Sequence, residues 1–342
     1  MINLKNDYSA IAHPKVLSKL VELNELSFVG YGLDEYSKQA SDLIKETIQC
    51  ENADIHFLAG GTITNKVLIS HALKPYEAVV SCDSGHINVH ETGTIEQSGH
   101  KVLTVPNVLG KMQVCDLEKV IKSHTDEHMV KPKMVYISNS TEFGTIYKYK
   151  ELEELSNFCK EHNLYLFMDG ARLGAALASK ECDYKIKDLS DLVDAFYIGG
   201  TKNGLTHGEA LVIINNELKS EFRYSIKHFG GMTAKGFILG IEFLTLFEDN
   251  LFIKIAEEEN KHAEQLQKEL KKLGVEMLMN SSTNQIFPIF KKEVVAALKE
   301  EILFETWEER EEDTVIRFVT SFKTTKEDID NTLDIIEKLI NR

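Results

Sequence analysis

Short apolar segments alternate with helical segments through the middle of this chain, and this alternation limits its fold more than any other feature. Strand-like runs occupy residues 56–59, 78–82, 101–105, 134–138, 164–168 and 195–198. Helical patterns lie between several of them, such as residues 62–73 and 150–162. Strands that are apolar on both faces and separated by helices are typical of a parallel sheet covered on both sides. A further strand is expected at residues 209–214, entered directly from the preceding strand without a helix.

The pattern changes after Gly236, where the sequence predicts a smaller C-terminal domain. Upstream of the alternating region, helices are expected at residues 12–26 and 35–49, separated by a glycine-rich stretch. Downstream, the patterns predict a long helical region with a break near Asn250, a strand, a helix, a strand and a last helix, over residues 237–272, 285–290, 292–301, 314–321 and 326–340. We therefore expect a large α/β domain of residues 1–245, with an N-terminal segment that can pack elsewhere, and a small α/β domain of residues 246–342.

Composition and charge exclude several classes of function. The chain has 342 residues, of which 43% are hydrophobic and 27% charged, as is ordinary for a globular protein. Its formal net charge of −15 repels nucleic acid and anionic membranes, so neither is expected as a partner. The N-terminus lacks the apolar run of a signal peptide, and no segment is apolar enough to span a bilayer. The cysteines, at positions 50, 82, 115, 159 and 182, are scattered without a C-x-x-C pair, which favours a cytoplasmic protein with no disulfide framework and no metal site.

Lys202 and Asp169 each follow an apolar strand, and each has two interpretations. Lys202 stands in a turn of small residues after the strand 195–198. A desolvated lysine there could form a Schiff base, although spacing alone favours an ordinary surface lysine. Asp169 ends the strand 164–168, at the edge where α/β sheets bind ligands. In an enzyme that uses pyridoxal 5′-phosphate (PLP), such a carboxylate pairs with the pyridine nitrogen, whereas the alternative is a helix N-cap.

Three further segments carry candidate groups. Gly60-Gly61-Thr62 follows a strand and opens a helix, where free amides can bind phosphate; the alternative is a turn with a threonine cap. His86 lies just past a strand and can stack on a flat ring, with Glu91 near the polar substituents of that ring, or it is a partly buried histidine at a helix start. Arg317 lies on one face of the strand 314–321, where its planar fork suits a substrate carboxylate or a salt bridge to nearby acids.

The serial order of these groups is more specific than any one of them. A phosphate turn, a histidine, a strand-end aspartate followed by an arginine, a lysine and a C-terminal arginine succeed one another as in PLP enzymes of the aspartate-aminotransferase-like fold type I. Within that group the chain resembles the low-specificity threonine aldolases of the aromatic amino acid β-eliminating lyase/threonine aldolase family. The resemblance is carried by Asn6-Asp7-Tyr8, Tyr31-Gly32-Leu33-Asp34, Gly60-Gly61-Thr62, His86 with Glu91-Thr92-Gly93, Met168-Asp169-Gly170-Ala171-Arg172-Leu173, Thr201-Lys202, Gly230-Gly231-Met232 and Arg317-Phe318-Val319-Thr320.

The resemblance implies a three-layer α/β/α large domain, a smaller C-terminal α/β domain, PLP as the cofactor, and roles for particular residues. Lys202 would carry the cofactor as a Schiff base, Asp169 would pair with the pyridinium, and His86 would stack on the ring. Further cofactor contacts are implied for Gly60, Gly61, Thr62, Arg172, Thr201 and Lys227, of which Lys227 would reach a neighbouring subunit's phosphate. Substrate contacts are implied for Asn6, Glu142, Arg172 and Arg317, and the two arginines would hold the carboxylate.

The reaction implied by the resemblance is cleavage of the Cα–Cβ bond of a β-hydroxy-α-amino acid, such as threonine or allo-threonine, to glycine and an aldehyde. The run 139–145 lacks a histidine common in the family, so the base that accepts the hydroxyl proton differs here. It is expected to be His86, directly or through water, because histidine titrates in the right range, with His90 and Glu142 as alternatives. The alternative functions are a β-eliminating lyase or aminotransferase on the same scaffold, a non-catalytic PLP-binding protein, and an α/β protein without PLP. A homo-oligomer, dimer or tetramer, with its sites at a dimer interface is also implied.

Overall fold

The computed structural model describes residues 1–341. The helices are α1 (Pro14–Glu22), α2 (Glu35–Thr47), α3 (Gly61–Ala72), α4 (His86–Val89), α5 (Thr94–Gln97), α6 (Val114–Ser123), α7 (Tyr149–Glu161), α8 (Leu173–Leu177), α9 (Leu189–Leu192), α10 (Phe222–His228), α11 (Phe237–Phe247), α12 (Leu251–Lys272), α13 (Lys292–Leu298) and α14 (Lys326–Ile340). The strands are β1 (Ile2–Asn3), β2 (Asp54–Leu58), β3 (Glu77–Cys82), β4 (Val102–Val105), β5 (Lys131–Ser138), β6 (Tyr165–Asp169), β7 (Ala195–Gly199), β8 (Glu209–Ile213), β9 (Glu276–Met277), β10 (Gln285–Ile286), β11 (Pro288–Lys291), β12 (Ile302–Leu303), β13 (Glu305–Glu309) and β14 (Asp313–Val319).

The large sheet is mixed, which corrects the expectation of a parallel sheet. Its strand order is β2-β8-β7-β6-β5-β3-β4. The strands β3 to β7 pair in parallel, whereas β8 runs antiparallel to both of its neighbours, β7 and β2. The reason is the short connection between β7 and β8: two neighbouring strands can be parallel only when a long crossover returns the chain to the same end of the sheet.

Helices cover both faces of this sheet, because successive side chains of each strand point to opposite faces. In β7, Phe196 and Ile198 pack in one apolar cluster with side chains of α2, α7 and α11. Ala195 and Tyr197 pack in a second cluster with side chains of α3 and α10. Strands that are buried on both sides thus produce the apolar runs of the sequence, and the predicted three-layer α/β/α arrangement is confirmed.

The long helical region after Gly236 is divided at the predicted place. Asp249 and Asn250 have φ angles of 53° and 55°, and α12 begins directly after them. A left-handed residue cannot continue a right-handed helix, so the chain changes direction here. The helix α12 then packs against α8 and α14.

A second, antiparallel sheet lies in the C-terminal part of the chain, with the order β10-β14-β11-β9 and with β13 also paired to β14. The helices α12, α13 and α14 supply its apolar core, together with Leu4 from the N-terminal segment. The strand β1 pairs in parallel with β12, so the first residues of the chain belong to this C-terminal layer. A domain boundary near residue 245 stays a prediction. Within residues 1–341, no helix combines the length and apolar character needed to cross a membrane.

Candidate active site

Chemically active side chains follow several strands at one edge of the large sheet. Glu142 comes after β5, Asp169 ends β6, and Lys202 comes after β7. Because β8 runs the opposite way, its first residue, Glu209, pairs with Gly199 at the same edge. A cavity of about 500 Å³ opens here, a size that suits a small molecule. It is lined by Tyr8, Ala59, Gly60, Gly61, Thr62, His86, His90, Glu142, Asp169, Ala171, Arg172, Tyr197, Thr201, Lys202, His207, Glu209 and Arg317.

Lys202 enters the cavity from a turn that packs tightly on the segment after β6. Gly199 permits this approach, since a Cβ at that position would lie 2.2 Å from the carbonyl oxygen of Ala171. The amide of Thr201 donates to the carbonyl of Gly208 over 3.0 Å and closes the turn. Burial, and after it the charge of Arg172, lower the pKa of Lys202 below its ordinary value. The Lys202 amine is therefore better prepared to act as a nucleophile than an ordinary surface lysine.

Asp169 is fixed by donors from both neighbouring strands. Tyr136 on β5 donates to its Oδ2 and Tyr197 on β7 donates to its Oδ1, each over 2.5 Å. The side-chain amide of Asn65 and the backbone amide of Ala171 add longer bonds of 3.3 and 3.0 Å. Burial and the charge of Asp169 raise the pKa of both tyrosines well above the ordinary value, so both stay protonated donors. These bonds hold the Asp169 carboxylate in one orientation.

The segment Gly60-Gly61-Thr62 begins α3 and presents backbone amides to the cavity. The first hydrogen bond of this helix runs from the Thr64 amide to the Gly60 carbonyl, so the amides before Thr64 have no acceptor inside the helix. A Cβ at residue 61 would lie 3.0 Å from the Tyr197 hydroxyl, and glycine leaves that hydroxyl free to reach Asp169. Free amides at the start of a helix attract an anion such as phosphate.

His86 is held by a buried carboxylate. Its Nδ1 lies 2.8 Å from Oε1 of Glu91, and the Asn65 side chain donates to the same oxygen over 2.7 Å. Burial works against the protonated ring, but the hydrogen bond to Glu91 and the charges of Asp169 and Glu142 outweigh it and raise the pKa of His86. The bond to Glu91 also fixes the ring orientation and leaves Nε2 as the nitrogen that can act on a ligand.

The two predicted carboxylate-binding arginines differ in their surroundings. Arg172 is buried and forms a paired contact with Asp7, with Nε to Oδ2 at 2.6 Å and Nη2 to Oδ1 at 3.0 Å. Asn284 donates to the same Asp7 carboxylate over 3.0 Å. Burial alone would raise the pKa of Asp7, but the charge of Arg172 and then that of Lys202 lower it, so Asp7 is an anion. Two of the Arg172 nitrogens are therefore already engaged by the protein.

Arg317 forms fewer hydrogen bonds to the protein than Arg172 does. Its Nη1 donates to Oε1 of Gln285 over 3.3 Å, and its buried Nε has no acceptor within residues 1–341. Burial, and then the charge of Arg172, lower the pKa of Arg317 from its ordinary value, although it remains a cation. A buried donor without a partner is costly, and a ligand carboxylate would satisfy it.

Two of the predicted site residues, Asn6 and Lys227, lie outside the cavity. Asn6 does not line the cavity; its Oδ1 accepts hydrogen bonds from the Tyr8 amide over 3.1 Å and from the Ser9 hydroxyl over 2.6 Å. Lys227 is exposed on α10, with its Nζ 5.2 Å from the centre of the Tyr31 ring. The other predicted residues, from Gly60 to Arg317, line one cavity.

The sequence did not identify Tyr8, Tyr197, His207 and Glu209 as lining residues. Glu209 accepts hydrogen bonds from the Gly200 amide over 2.9 Å and from the Thr201 hydroxyl over 3.0 Å. Burial raises the pKa of Glu209 to about 7. A glutamate that begins an otherwise apolar strand next to the Lys202 turn is the sequence signal that could have identified it.

The chain is similar to known proteins in both sequence and structure. The family model described as beta-eliminating lyase matches residues 27–293. The chain belongs to the beta-eliminating lyase family. The Leishmania major threonine aldolase structure is 42% identical to this chain and superposes with a TM-score of 0.98, covering 99% of this chain and 100% of that one. The low specificity L-threonine aldolase of Pseudomonas aeruginosa is 28% identical over 297 residues, which are 86% of this chain and 85% of the relative.

More distant structures share the fold. The aspartate aminotransferase of Thermotoga maritima is 17% identical with a TM-score of 0.73, covering 100% of this chain and 92% of that chain. The predicted resemblance and the predicted fold type I architecture are confirmed, and the chain is a PLP-dependent lyase.

The residues present fit PLP. A nucleophilic amine at Lys202, an oriented carboxylate at Asp169 and an imidazole at His86 face one cavity. The backbone amides at the start of α3, which have no acceptor inside the helix, provide a place for a phosphate. Amine, carboxylate and anion site are the groups that an aldehyde, a pyridine nitrogen and a phosphate require.

Proposed function

We propose that this chain cleaves the Cα–Cβ bond of a β-hydroxy-α-amino acid, such as threonine or allo-threonine, to give glycine and an aldehyde. One observation carries the proposal: the Lys202 amine shares its cavity with Asp169 and with Arg317, whose Nε has no acceptor within residues 1–341. An α-amino acid has the complementary groups, because its carboxylate suits Arg317 while its amine reaches the Lys202 region. The similarity to threonine aldolases supports the same reaction.

The cofactor would be held by groups from three parts of the large sheet. Lys202 would hold the PLP aldehyde carbon, Asp169 the ring nitrogen, and His86 one face of the ring. The phosphate contacts would come from Gly60, Gly61 and Thr62, and Thr201 and Arg172 would add further cofactor contacts. When bound, PLP supplies an acceptor for the electron pair released at Cα.

Arg317 would orient the substrate. A carboxylate held in the guanidinium fork cannot rotate freely about Cα, so the fork selects which bond at Cα stands perpendicular to the cofactor ring. Arg172 would add positive charge beside the substrate carboxylate, through the N–H groups that its pairing with Asp7 does not use. Glu142 lines the same cavity and would form a second substrate contact. Asn6 stays a predicted substrate contact.

His86 would accept the β-hydroxyl proton, directly or through water, as bond cleavage proceeds. Its Nδ1 is bonded to Glu91, so Nε2 would take the proton. His90 and Glu142 also line the cavity and are the alternatives; burial lowers the pKa of His90, which keeps that ring neutral. Replacing His86 with Phe should abolish most turnover while PLP stays bound. Undiminished turnover would assign the base to another group.

Product analysis tests the reaction. Purified protein loaded with PLP should convert threonine to glycine and acetaldehyde in equal amounts, measured by chromatography of the amino acid and trapping of the aldehyde. Ammonia with a keto acid would instead indicate β-elimination, and transfer of the amino group to a keto acid would indicate an aminotransferase. Either result would replace the proposed reaction while leaving the PLP site intact.

We further propose a cytoplasmic homo-oligomer, dimer or tetramer, in which Lys227 reaches the phosphate site of a neighbouring subunit. Free cysteines at positions 50, 82, 115, 159 and 182 suit a reducing compartment. Lys227 is exposed, and Tyr31 beside it is about half exposed, as expected of a surface that a second copy would cover. Light scattering of the wild type gives the assembly size, and weaker PLP binding in Lys227→Ala would support the contact between subunits.

A further inference from the structure

An irregularity in the C-terminal sheet lies directly beside Arg317. The strands β13 and β14 pair with Glu305 opposite Arg317 and Thr306 opposite Ile316, but Glu308 then lies opposite Val315. Trp307 is the extra residue of a β-bulge. Bulges next to active sites turn one side chain away from the direction that regular pairing would give it.

The Trp307 ring takes part in an aromatic cluster that includes one cation. Its centre lies 5.3 Å from the ring of Phe143 and 5.0 Å from that of Phe287, both in edge-to-face geometry. The guanidinium carbon of Arg317 lies 5.4 Å from the Trp307 ring centre. This distance is within the range of a cation–π contact. Phe143 comes from the loop after β5, so the cluster joins the two sheets.

Arg317 is therefore held from two directions. Trp307 contacts its guanidinium, and Gln285 accepts one hydrogen bond at the edge of that group over 3.3 Å. Gln285 is fully buried and also donates to the carbonyl of Thr141 over 3.4 Å. Neither contact engages Nε, which keeps no acceptor within residues 1–341.

We propose that Trp307 is a positioning residue that holds the Arg317 guanidinium ready for the substrate carboxylate. The inference rests on the proposed function, because it assumes that Arg317 receives that carboxylate. An arginine side chain loses much rotamer freedom when it binds, and a ring that fixes its plane beforehand lowers that entropic cost. An aromatic ring does so without competing for the N–H donors, whereas a carboxylate in its place would occupy the fork, as Asp7 does with Arg172.

The contact between Trp307 and Arg317 can also be tested without turnover, by fluorescence. Trp307 is the only tryptophan of the chain, so all tryptophan fluorescence comes from this one position beside Arg317. Binding of a carboxylate at Arg317 changes the charge next to the indole ring. The emission should therefore change in a saturable way when glycine or L-alanine is added to the PLP-loaded protein.

The substitution that tests the proposal is Trp307→Leu, with Trp307→Phe as the conservative variant. Trp307→Leu should raise KM for threonine on the order of tenfold, the size of one partly desolvated cation–π contact, and leave kcat within about twofold. Trp307→Phe keeps a π face and should recover most of the wild-type KM. Phe287→Leu is the matched control: it alters the same cluster but leaves the Trp307 ring, the aromatic partner of the Arg317 guanidinium, in place, so it should lower the unfolding midpoint and leave KM unchanged.

The outcomes separate the two proposals. A wild type that makes no glycine from threonine rejects the proposed reaction, while the emission titration with glycine still tests the role of Trp307. A wild type that cleaves threonine, with an unchanged KM in Trp307→Leu or an equal rise in Phe287→Leu, rejects the positioning role alone. If Trp307→Leu does not fold, the wild-type titration decides, and emission that stays constant while glycine saturates the cofactor absorption band overturns the proposal.

Discussion

The two sides of the cavity differ in how fully the protein supplies hydrogen-bond partners to their charged groups. On the large-sheet side, Asp169 accepts hydrogen bonds from Tyr136, Tyr197, Asn65 and the Ala171 amide, so its oxygens are satisfied by the protein. On the C-terminal side, Arg317 donates one long bond to Gln285, and its Nε has no acceptor within residues 1–341.

This difference matches a cofactor that stays bound and a substrate that is exchanged in every turnover. A cofactor stays bound through many turnovers, so a carboxylate that meets its ring, such as Asp169, can be fixed in advance by hydrogen bonds to the protein. A substrate leaves in every turnover, so the group that meets it keeps capacity that only the ligand fills. Substitutions at Lys202 and around Asp169 should therefore mainly change cofactor binding, and substitutions at Arg317 should mainly change substrate binding.

The largest effect is expected at Lys202. Lys202→Ala removes the amine that attaches the cofactor, and turnover should fall by a factor on the order of a thousand or more. The visible absorption band of bound PLP should be lost or shifted as well. Absorption spectra and initial rates measured on the same preparations test this.

Lys150→Ala provides the control for that substitution, because Lys150 is an exposed lysine on α7. It should leave both the spectrum and the rate unchanged. A Lys202→Ala protein with a wild-type spectrum and full activity would show that the cofactor is not attached to Lys202.

The second prediction contrasts the two arginines. Arg172→Gln leaves Asp7 buried without its ionic partner, which should destabilise the fold by about 3–5 kcal/mol. Arg317→Gln breaks no ion pair within residues 1–341; it should barely change stability but raise KM for threonine by about a hundredfold. Urea unfolding and steady-state kinetics on both variants measure the two effects.

The double variant Asp7→Asn with Arg172→Gln checks the cause. Replacing both partners should recover part of the stability that Arg172→Gln loses, since no uncompensated charge remains. Equal losses of stability in Arg172→Gln and Arg317→Gln would contradict the contrast between a structural and a substrate-binding arginine.

The third prediction concerns the tyrosines that orient Asp169. Tyr197→Phe removes one hydrogen bond to a charged group and should weaken PLP binding about tenfold, measured by cofactor release from the loaded protein. Tyr165→Phe is matched to it, because Tyr165 donates to Glu217 over 2.9 Å at the surface, away from the cavity. Unchanged PLP affinity in Tyr197→Phe would show that Asp169 needs no support from β7.

Much of this cavity could be predicted because its groups follow the ends of strands. Asp169 ends β6 and Lys202 follows β7, so the alternation of apolar runs and helices already placed both at one edge of the sheet. The last helix has the predicted bounds, since its apolar periodicity coincides with the Thr325 capping box.

Other features depend on contacts between distant segments, which no local pattern records. Asp7 and Arg172 are far apart in the chain, and their pairing depends on how β1 docks against β12. The strand β13 was missed because its residues are mostly charged and exposed, so no apolar alternation marks it. The antiparallel direction of β8 was missed as well, although the short connection before it is visible in the sequence.

The smallest effect is expected for the group that supports His86. If His86 is the base, it must be neutral, so activity falls as the pH drops through its pKa, which the bond to Glu91 and the nearby charges of Asp169 and Glu142 raise. Glu91→Gln replaces the carboxylate that accepts this hydrogen bond, so the pKa of His86 should fall and the acid limb of kcat/KM should move to lower pH. Because glutamine can still hydrogen-bond the ring, the maximal rate should change by less than about threefold. An acid limb that does not move in Glu91→Gln would assign the base to His90 or Glu142, and the large-sheet side would then hold the cofactor without supplying the proton acceptor.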